Sequence, residues 1–391
     1  MPAPQSIKNA IPGSRILIVD DDEMIRMFIE VLLNGSGFDN LLQAQDGWEA
    51  LEALKTTNVD CVILDINMPG MGGRDVLRHI RSNPKTEGLP VLVITAQDGR
   101  EDRNEILRAG ATKIISKPLD QDLLLELMSN MLEHKFMVDQ LSSFHNRLSQ
   151  ELAQAARMQS GLIPKPDMIS ALEARYSVKI ASEFQPSSEL GGDFWTAQII
   201  DHQSFGILMA DFSGHGVSAA LNTFQLNMLL SRLGPCDGDP AAYLSRINDE
   251  LSQVVPLGQY CTMLYAMVDI SKDTITYAAA ASPPPIFGTS GESDVSIGDG
   301  SGVPLGIKAN NTYENRHIDF QPGQFAFFFS DVFYETELEG TDVLEIDGLA
   351  TFASHHSDVD AHKALGNMLE TFYKSAPSPL PDDLTAIWIT R

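Results

Sequence analysis

Four short apolar runs rich in β-branched residues lie between about residue 13 and residue 120: RILIV at 15–19, CVIL at 61–64, VLVI at 91–94 and KIIS at 113–116. Stretches of helical pattern separate them, and that alternation argues for a parallel sheet with helical crossovers. No other feature limits the first third of the chain so strongly. After the first run, EMIRMFIEVLLNGSG places Met24, Ile25, Phe28, Ile29, Val31 and Leu32 at roughly helical spacing. The pattern stops at Gly35, which predicts a helix with Gly35 as its C-cap.

A doubly wound parallel sheet binds its ligands at the carboxyl ends of its strands, where the strand order reverses. Asp20, Asp21 and Asp22 come directly after the first run, and Asp65 after CVIL. Oxygen-rich side chains converging there suit Mg²⁺, which keeps waters and takes one or two carboxylates plus phosphate oxygens. Asp65 is then free to attack a phosphoryl group. Two more strand ends supply a hydroxyl, Thr95, and an ammonium, Lys117, held by the adjoining Pro118. A lone acid at a strand end is as often a solvated loop cap. Five such residues at four strand ends of one sheet are a site.

The motifs ILIVDDDEMIR, VILDINMPGMGG, VLVITA and SKP appear in that order over residues 13–125. They resemble the CheY-like receiver domain of response regulators. The resemblance implies that Asp65 is the phosphoacceptor and that Asp20, Asp21 and the backbone carbonyl of Asn67 join it around Mg²⁺. It further implies that Thr95 and Lys117 are the switch hydroxyl and phosphoryl partner, and that a sensor histidine kinase or phosphotransfer protein supplies the phosphoryl group. Ile114 stands three residues before Lys117, where the family usually places a swinging aromatic.

From Asp120 to about Gln159 there is no Pro or Gly, and apolar residues recur in sevens. Leu124, Met131, Val138 and Leu152 form one seam; Leu127, Leu141, Leu148 and Ala155 form another. Two seams predict a helix over 123–160 that pairs with its copy as a dimerising coiled coil. An amphipathic helix lying on a domain is the alternative. Pro164 and Pro166 end it. Beyond them FGILMAD and FAFFFSD alternate like strands, mixed with helical stretches such as VSAALNTFQLNMLLSRL and without a βα repeat. The chain therefore reads as an α/β doubly wound domain over 13–122, the helix over 123–160, and an α+β domain over 165–391.

Four acidic motifs lie far apart in that last segment: SSELGGDFW with Asp193, LMADFSGHGVSAAL with Asp211, FFFSDVFYE with Asp331, and PDDLTAIWI with Asp382 and Asp383. Three adjoin strongly apolar runs, so the carboxylates belong where buried strands emerge. A group of carboxylates there repels itself unless a divalent cation joins it. Aspartates without cysteine or paired histidine favour Mg²⁺ or Mn²⁺ over zinc, and two such ions suit hydrolysis of a phosphate ester. The glycines of DFSGHG let backbone approach a metal or phosphate closely.

Residues from about 152 onward, including AARMQSGLIP, GVPLGI and DDLT, resemble PPM-type serine/threonine phosphatases of the SpoIIE and RsbU kind. By that resemblance the C-terminal domain is an α+β sandwich in which Asp211 bridges two ions. The carbonyl of Phe212 and the carboxylates of Asp193, Asp331 and Asp382 complete the shell. Asp383 competes with Asp382 for the last place, with Asp382 favoured. His215 is either a proton donor to the leaving oxygen or a structural cap. Three positions depart from the family pattern: Thr196 in place of a second acid, Val332 after SD, and Ser282 in place of a glycine-histidine pair.

The formal net charge of -26 repels a phosphodiester backbone, so nucleic acid is not an expected partner. No apolar run approaches the roughly 20 residues of a membrane span, which predicts a cytoplasmic protein. Cys61, Cys236 and Cys261 have neither metal nor redox spacing and read as core residues. The function expected is a two-component response regulator in which phosphorylated Asp65, through the long helix, controls a metal-dependent protein phosphatase. The resemblance implies a phosphorylated anti-sigma-factor antagonist of STAS type as substrate, in a partner-switching pathway. The alternative is a phosphatase-fold adaptor that binds a sigma factor or anti-sigma partner without useful catalysis. Adaptors of that kind lose the metal aspartates, all of which are present here.

Overall fold

The computed structural model describes residues 13–96, 99–214, 216–338 and 344–391. Two compact units make it up, Met1–Leu148 and Ser149–Arg391.

The first unit runs β1 (Arg15–Val19), α1 (Glu23–Gly35), β2 (Asn40–Ala44), α2 (Gly47–Thr56), β3 (Cys61–Asp65), α3 (Gly73–Ser82), β4 (Val91–Thr95), α4 (Arg100–Arg108) and β5 (Lys113–Ser116). It closes with the start of α5 (Gln121–Ser160). The strands form one parallel sheet in the order β2-β1-β3-β4-β5. Every residue of β3 and β4 is buried, because both faces of the sheet carry a core. Ile16, Ile18, Ile63 and Leu92 pack on one side; Leu17, Val19, Val62 and Val93 pack on the other. The order reverses between β1 and β3, and their carboxyl ends open the crevice that a fold of this kind offers a ligand.

Helix ends are set by local hydrogen bonding. Asp22 accepts from the Met24 N–H at 2.8 Å and Asp46 from those of Trp48 and Glu49, so each caps its helix. α1 continues through Gly35 to Ser36, and the left-handed residue is Gly37 at φ 89°. With the Phe38 N–H donating to Leu33 O at 3.0 Å, the turn that needs glycine lies two residues beyond the expected stop.

α5 is one continuous helix. Its first turns are not free to pair with a copy, since Leu124, Met128, Met131 and Leu132 belong to the core under the parallel sheet. Apart from Leu123 in the first turn and Met158 near the end, the exposed large apolar residues of the helix are Met137, Val138, Leu141, Phe144 and Leu148. A seven-residue spacing cannot tell a seam covered by the domain from one left open.

The second unit contains α6 (Pro166–Tyr176), β6 (Lys179–Gln185), β7 (Asp193–Ile199), β8 (Ser204–Phe212), α7 (Val217–Leu233), α8 (Pro240–Leu251), β9 (Cys261–Asp269) and β10 (Thr274–Ala280). Next come β11 (Ile286–Thr289), β12 (Val295–Ile297), β13 (Arg316–Asp319), β14 (Gln324–Phe329), α9 (Val332–Glu335), α10 (Ile346–His356), α11 (Ala361–Ser375) and β15 (Leu384–Thr390). Two antiparallel sheets, β13-β10-β9-β8-β7 and β12-β11-β14-β15-β6, share an inner core. Strand periodicity divides the side chains. On β8, Phe205, Ile207 and Met209 face the inner core, while Leu208, Ala210 and Phe212 face α7 and α8. On β15, Ile387 and Ile389 face inward, and Leu384, Ala386 and Trp388 pack against α10 and α11.

One glycine joins fold to site. A Cβ added at Gly73 would lie 2.1 Å from the backbone oxygen of Asp65, so α3 can start this close to the end of β3 only without a side chain. Gly73→Ala should destabilise the first unit by about 1–3 kcal/mol. Gly88→Ala, where nothing lies within 4 Å, should be near neutral. Thermal unfolding of the two full-length variants checks the difference.

Candidate functional sites

In the first unit the crevice collects the ends of four strands. One carboxylate oxygen from each of Asp20, Asp21 and Asp65 lies within 4.8 Å of the others. Asp20 and Asp65 are buried and Asp21 is exposed. Lys117, just past β5, places Nζ 2.8 Å from Asp65 Oδ1 and 3.1 Å from Asp20 Oδ2. Burial works against the Lys117 charge, but its bonds to Asp65 and Asp20 outweigh that and raise its pKa overall. Burial is also the largest influence on Asp20 and raises its pKa, opposed by the Asp22 N–H and by Lys117.

The frame around these groups is backbone. The Asn67 N–H donates to Asp65 Oδ2 at 2.8 Å, the Asp22 N–H to Asp20 Oδ1 at 2.9 Å, and Arg26 to the Asp20 carbonyl at 2.8 Å. Thr95 is fully buried at the end of β4, and its carbonyl accepts from the Lys117 N–H at 2.8 Å. Ile114 is half-buried against the core beside α3. Three converging carboxylates of this kind fit a hard divalent cation.

The second unit builds its site from strand register. Asp193 and Asp211 are cross-strand partners on β7 and β8. Both fall on the inward phase, Asp193 with Trp195 and Asp211 with Met209. β14 delivers Asp331 at the start of α9, and Asp382 and Asp383 immediately precede β15. Asp193 is held well above the usual carboxylate range, first by burial and then by Asp211 and Asp383. Asp211 is pushed up to about 7 by burial, then by Asp331, Asp382, Asp383 and Glu335. Asp331 is pushed up to about 6 by burial, Asp382 and Glu335. Among the described residues no Lys, Arg or His forms an ion pair with any of the five aspartates. The cluster is looser than the first: among the described residues, only Asp20, Asp21 and Asp65 bring three such groups within 4.8 Å.

Asp382 and Asp383 separate by environment. Asp383 is buried, and its oxygens accept from the Ser187 N–H at 2.7 Å, the Ser187 hydroxyl at 3.0 Å and the Gly192 N–H at 2.6 Å. It clamps the loop that leads into Asp193. Asp382 is exposed and bears on Asp211 and Asp331, leaving an oxygen available for a cation. Phe212 is buried at the end of β8. His215 lies outside the described residues.

Two contributors carried no role in the sequence reading. The Thr385 hydroxyl donates to Asp193 Oδ2 at 2.6 Å. Gln159, buried in the last turn of α5, donates to the Gly191 carbonyl at 2.7 Å and accepts from the Gly191 N–H at 3.2 Å. The signal for Thr385 was its place in DDLT, two residues from Asp383 and so on the same strand face. For Gln159 it was a polar residue at the end of an apolar helical pattern.

The departures sort by location. Thr196 lines a hollow with Gln198, Asn227 and Leu230, on the helix-covered side away from Asp193. Val332 is buried in the core beneath α9. Ser282 lines a cavity of about 20 Å³ together with Asp211 and Asp331, and its hydroxyl has no hydrogen-bond partner among the described residues.

Residues 16–129 match the response regulator receiver domain family, and residues 201–391 match the Stage II sporulation protein E (SpoIIE) family. Chemotaxis protein CheY-3 of Vibrio cholerae is 42% identical over 119 residues, which is 30% of this chain and 92% of that protein. CheY of Pseudomonas aeruginosa is 40% identical over 119 residues, 30% of this chain and 96% of that protein. The SiaA-PP2C domain of Pseudomonas aeruginosa superposes with a TM-score of 0.56 over 64% of this chain and 99% of its own, at 19% identity. That likeness shows the fold of the second unit. No helix among the described residues is long and apolar enough to cross a membrane.

The raised carboxylates predict a pH dependence. Asp211 and Asp331 ionise near 3.8 when unfolded and near about 7 and about 6 when folded. Between these values the folded state holds protons the unfolded chain has lost, so metal-free stability falls as pH rises from about 4 to about 7. Asp211→Asn removes one source of that loss. With EDTA present, its melting temperature should exceed the parent's at pH 8, and the gap should close toward pH 4. A gap unchanged across the window would mean that carboxylate repulsion is not its origin.

Proposed function

This chain belongs to the response-regulator receiver family and carries a SpoIIE-type phosphatase domain behind its receiver, and from that premise we propose that phosphorylation of Asp65 controls hydrolysis of a phosphoserine or phosphothreonine protein. What supports catalysis over mere binding is the set of inward and rim carboxylates on the second unit, left without an ion pair among the described residues, of which Asp193, Asp211 and Asp331 are raised in pKa by burial and by their neighbours.

In the receiver, Asp65 is the nucleophile, with Asp20, Asp21 and the Asn67 carbonyl holding Mg²⁺ beside it. Lys117, already on Asp65 at 2.8 Å, is placed to meet the incoming phosphoryl oxygens, and Thr95 to answer them from the next strand end. A sensor histidine kinase or phosphotransfer protein is the donor. In the phosphatase, Asp193, Asp211, Asp331, Asp382 and the Phe212 carbonyl hold two divalent cations, Mn²⁺ or Mg²⁺. These supply charge neutralisation of the ester and an activated water. Thr385 fixes the rotamer of Asp193, and Asp383 fixes the backbone that presents it. α5 carries the signal, because its last turn grips the same Gly191 backbone through Gln159.

The partner-switching reading makes a phosphorylated STAS-type anti-sigma-factor antagonist the substrate, in the cytoplasm. The adaptor reading is disfavoured because no ligand aspartate is missing.

Asp65→Asn should abolish labelling by acetyl phosphate with Mg²⁺, since an amide is not the acceptor nucleophile. Asp211→Asn should reduce Mn²⁺-dependent hydrolysis of 4-nitrophenyl phosphate by on the order of 10²-fold or more. A parent protein that hydrolyses neither this ester nor any phosphoserine protein would return the adaptor reading.

The exposed stretch of α5 from Met137 to Leu148 also supports a homodimer, its apolar face covered by the same face of a second copy. Leu141→Glu together with Phe144→Glu should shift the full chain from dimer to monomer in sedimentation equilibrium. A parent that is monomeric at micromolar concentration, with or without phosphodonor, argues against the pairing.

A further inference from the structure

Among the stretches of this acidic chain without a charged residue are 217–231, 251–268 and 300–307. Charged residues make up 20% of the whole, so charge-free segments that reach the surface require a reason. The fold brings parts of all three together beside the Asp211 strand end. The Ser213 N–H donates to Tyr260 O at 2.9 Å, and the Tyr260 N–H donates to Ser213 Oγ at 2.9 Å. Gln259 bonds the first turns of α7 through Ser218 at 2.9 Å and Asn222 at 2.8 Å. The Cys261 and Leu305 backbones pair at 3.0 and 2.8 Å, which fixes the 300–307 turn against the same loop.

On this frame stand apolar side chains with no cover. Leu257 is fully exposed, and Val217, Leu221, Val254, Val303 and Ile307 are each 46–58% exposed. Isolated exposed hydrophobes need no explanation, but a fixed group of them without charge has the composition of an interface core. Ser213 is two residues from Asp211, so a partner seated on this rim brings its own surface to the carboxylate site.

We propose that this rim is the docking surface for the phosphatase substrate, a protein that presents its phosphoserine or phosphothreonine from an apolar, uncharged surface. The proposal rests on the phosphatase reading and deepens it. A chain of net charge -26 repels an anionic phosphoprotein over most approaches. A neutral apolar rim binds by excluding water and lets the phosphate be the one charged group at the contact. The bonds within the rim hold it preformed, so little ordering opposes binding.

Two fluorescent peptides test it, each with a phosphonate isostere of phosphoserine, one flanked by Leu, Val and Met and the other by balanced Glu and Lys. Anisotropy with the full chain and Mn²⁺ should show the apolar peptide binding about tenfold tighter or more. Leu221→Ser combined with Leu257→Ser should bring its affinity down to that of the charged peptide, while Leu257→Met keeps the preference. Equal binding of both peptides by the parent, or an unchanged preference in the double variant, overturns the proposal. So does a double variant that only turns dimer into monomer, which would make the rim a contact between copies. Hydrolysis of 4-nitrophenyl phosphate by the parent is read in parallel. If neither this ester nor a phosphoserine protein is hydrolysed while the peptide preference persists, the phosphatase reading fails and the rim stands as a docking surface for a phosphoprotein that is bound and not hydrolysed.

Discussion

Asp193 and Asp211 are register partners on adjacent antiparallel strands, both on the inward phase, so neither can turn away from the other without turning a whole strand over. Asp331, Asp382 and Asp383 arrive at the same end of the sandwich from the other sheet. Burial and proximity together raise three of these carboxyls, and the rest of the second unit is arranged around keeping them there. The receiver meets the same problem differently. Its Lys117 already stands between Asp20 and Asp65, so much of the negative charge is compensated from within. The second cluster has no such ammonium among the described residues, so its carboxyls keep their charge repulsion in the form of raised pKa values.

The hydrogen bonds behind the carboxylates divide the labour of holding them. Thr385 fixes one side chain, and Asp383 gathers the amides of Ser187 and Gly192. Gln159 takes both polar groups of Gly191. A Cβ on Gly191 would meet Asp383 at 2.4 Å and one on Gly192 would meet the Phe212 carbonyl at 2.6 Å. The two glycines before Asp193 thus exist for close approach rather than for flexibility. A rotation or shift at the end of α5 acts on a turn that has no slack. Gln159 thereby ties the end of α5 to the backbone that presents Asp193.

Strand ends were legible in the sequence because their chemistry is local: an apolar run must stop, and the residues just past its end are those the crevice receives. The five receiver residues, Asp211 and Asp331 lie at or just past strand ends in this way, whereas Asp193 opens β7 and Asp382 and Asp383 precede β15, so their signal was an acidic motif beside an apolar run. Features that depend on what covers a surface could not be read so. The heptad spacing through Leu124 and Met131 is real, yet those residues fill the receiver core, and the open run of apolar residues lies from Met137 to Leu148. Gly35 looked like a helix stop because it ended the apolar pattern, whereas the left-handed turn fell on Gly37. Gln159 and Thr385 are polar residues in apolar surroundings, and their roles emerge only once their partners, far away in sequence, are placed.

The three departures from the family pattern bear unequally on chemistry. Thr196 sits three residues after Asp193 on the same strand, and odd spacing on a strand means the opposite face. The hollow it shares with Asn227 and Leu230 confirms that it lies on the α7 side. Val332 is absorbed into the core that anchors α9 and therefore supports Asp331 from behind. Ser282 alone reaches the space that Asp211 and Asp331 line. It comes after Ala281, which holds φ 54° in the left-handed region where a residue with a side chain is strained by about 1 kcal/mol or more. That backbone aims a hydroxyl unpartnered among the described residues at a cavity about the size of one water. Where the family pattern has an imidazole, this chain has a small donor and acceptor without a titrating group, and none of the clustered aspartates is replaced. The departure therefore changes the polarity of the cavity beside Asp211 and Asp331 and leaves the carboxylates themselves as they are.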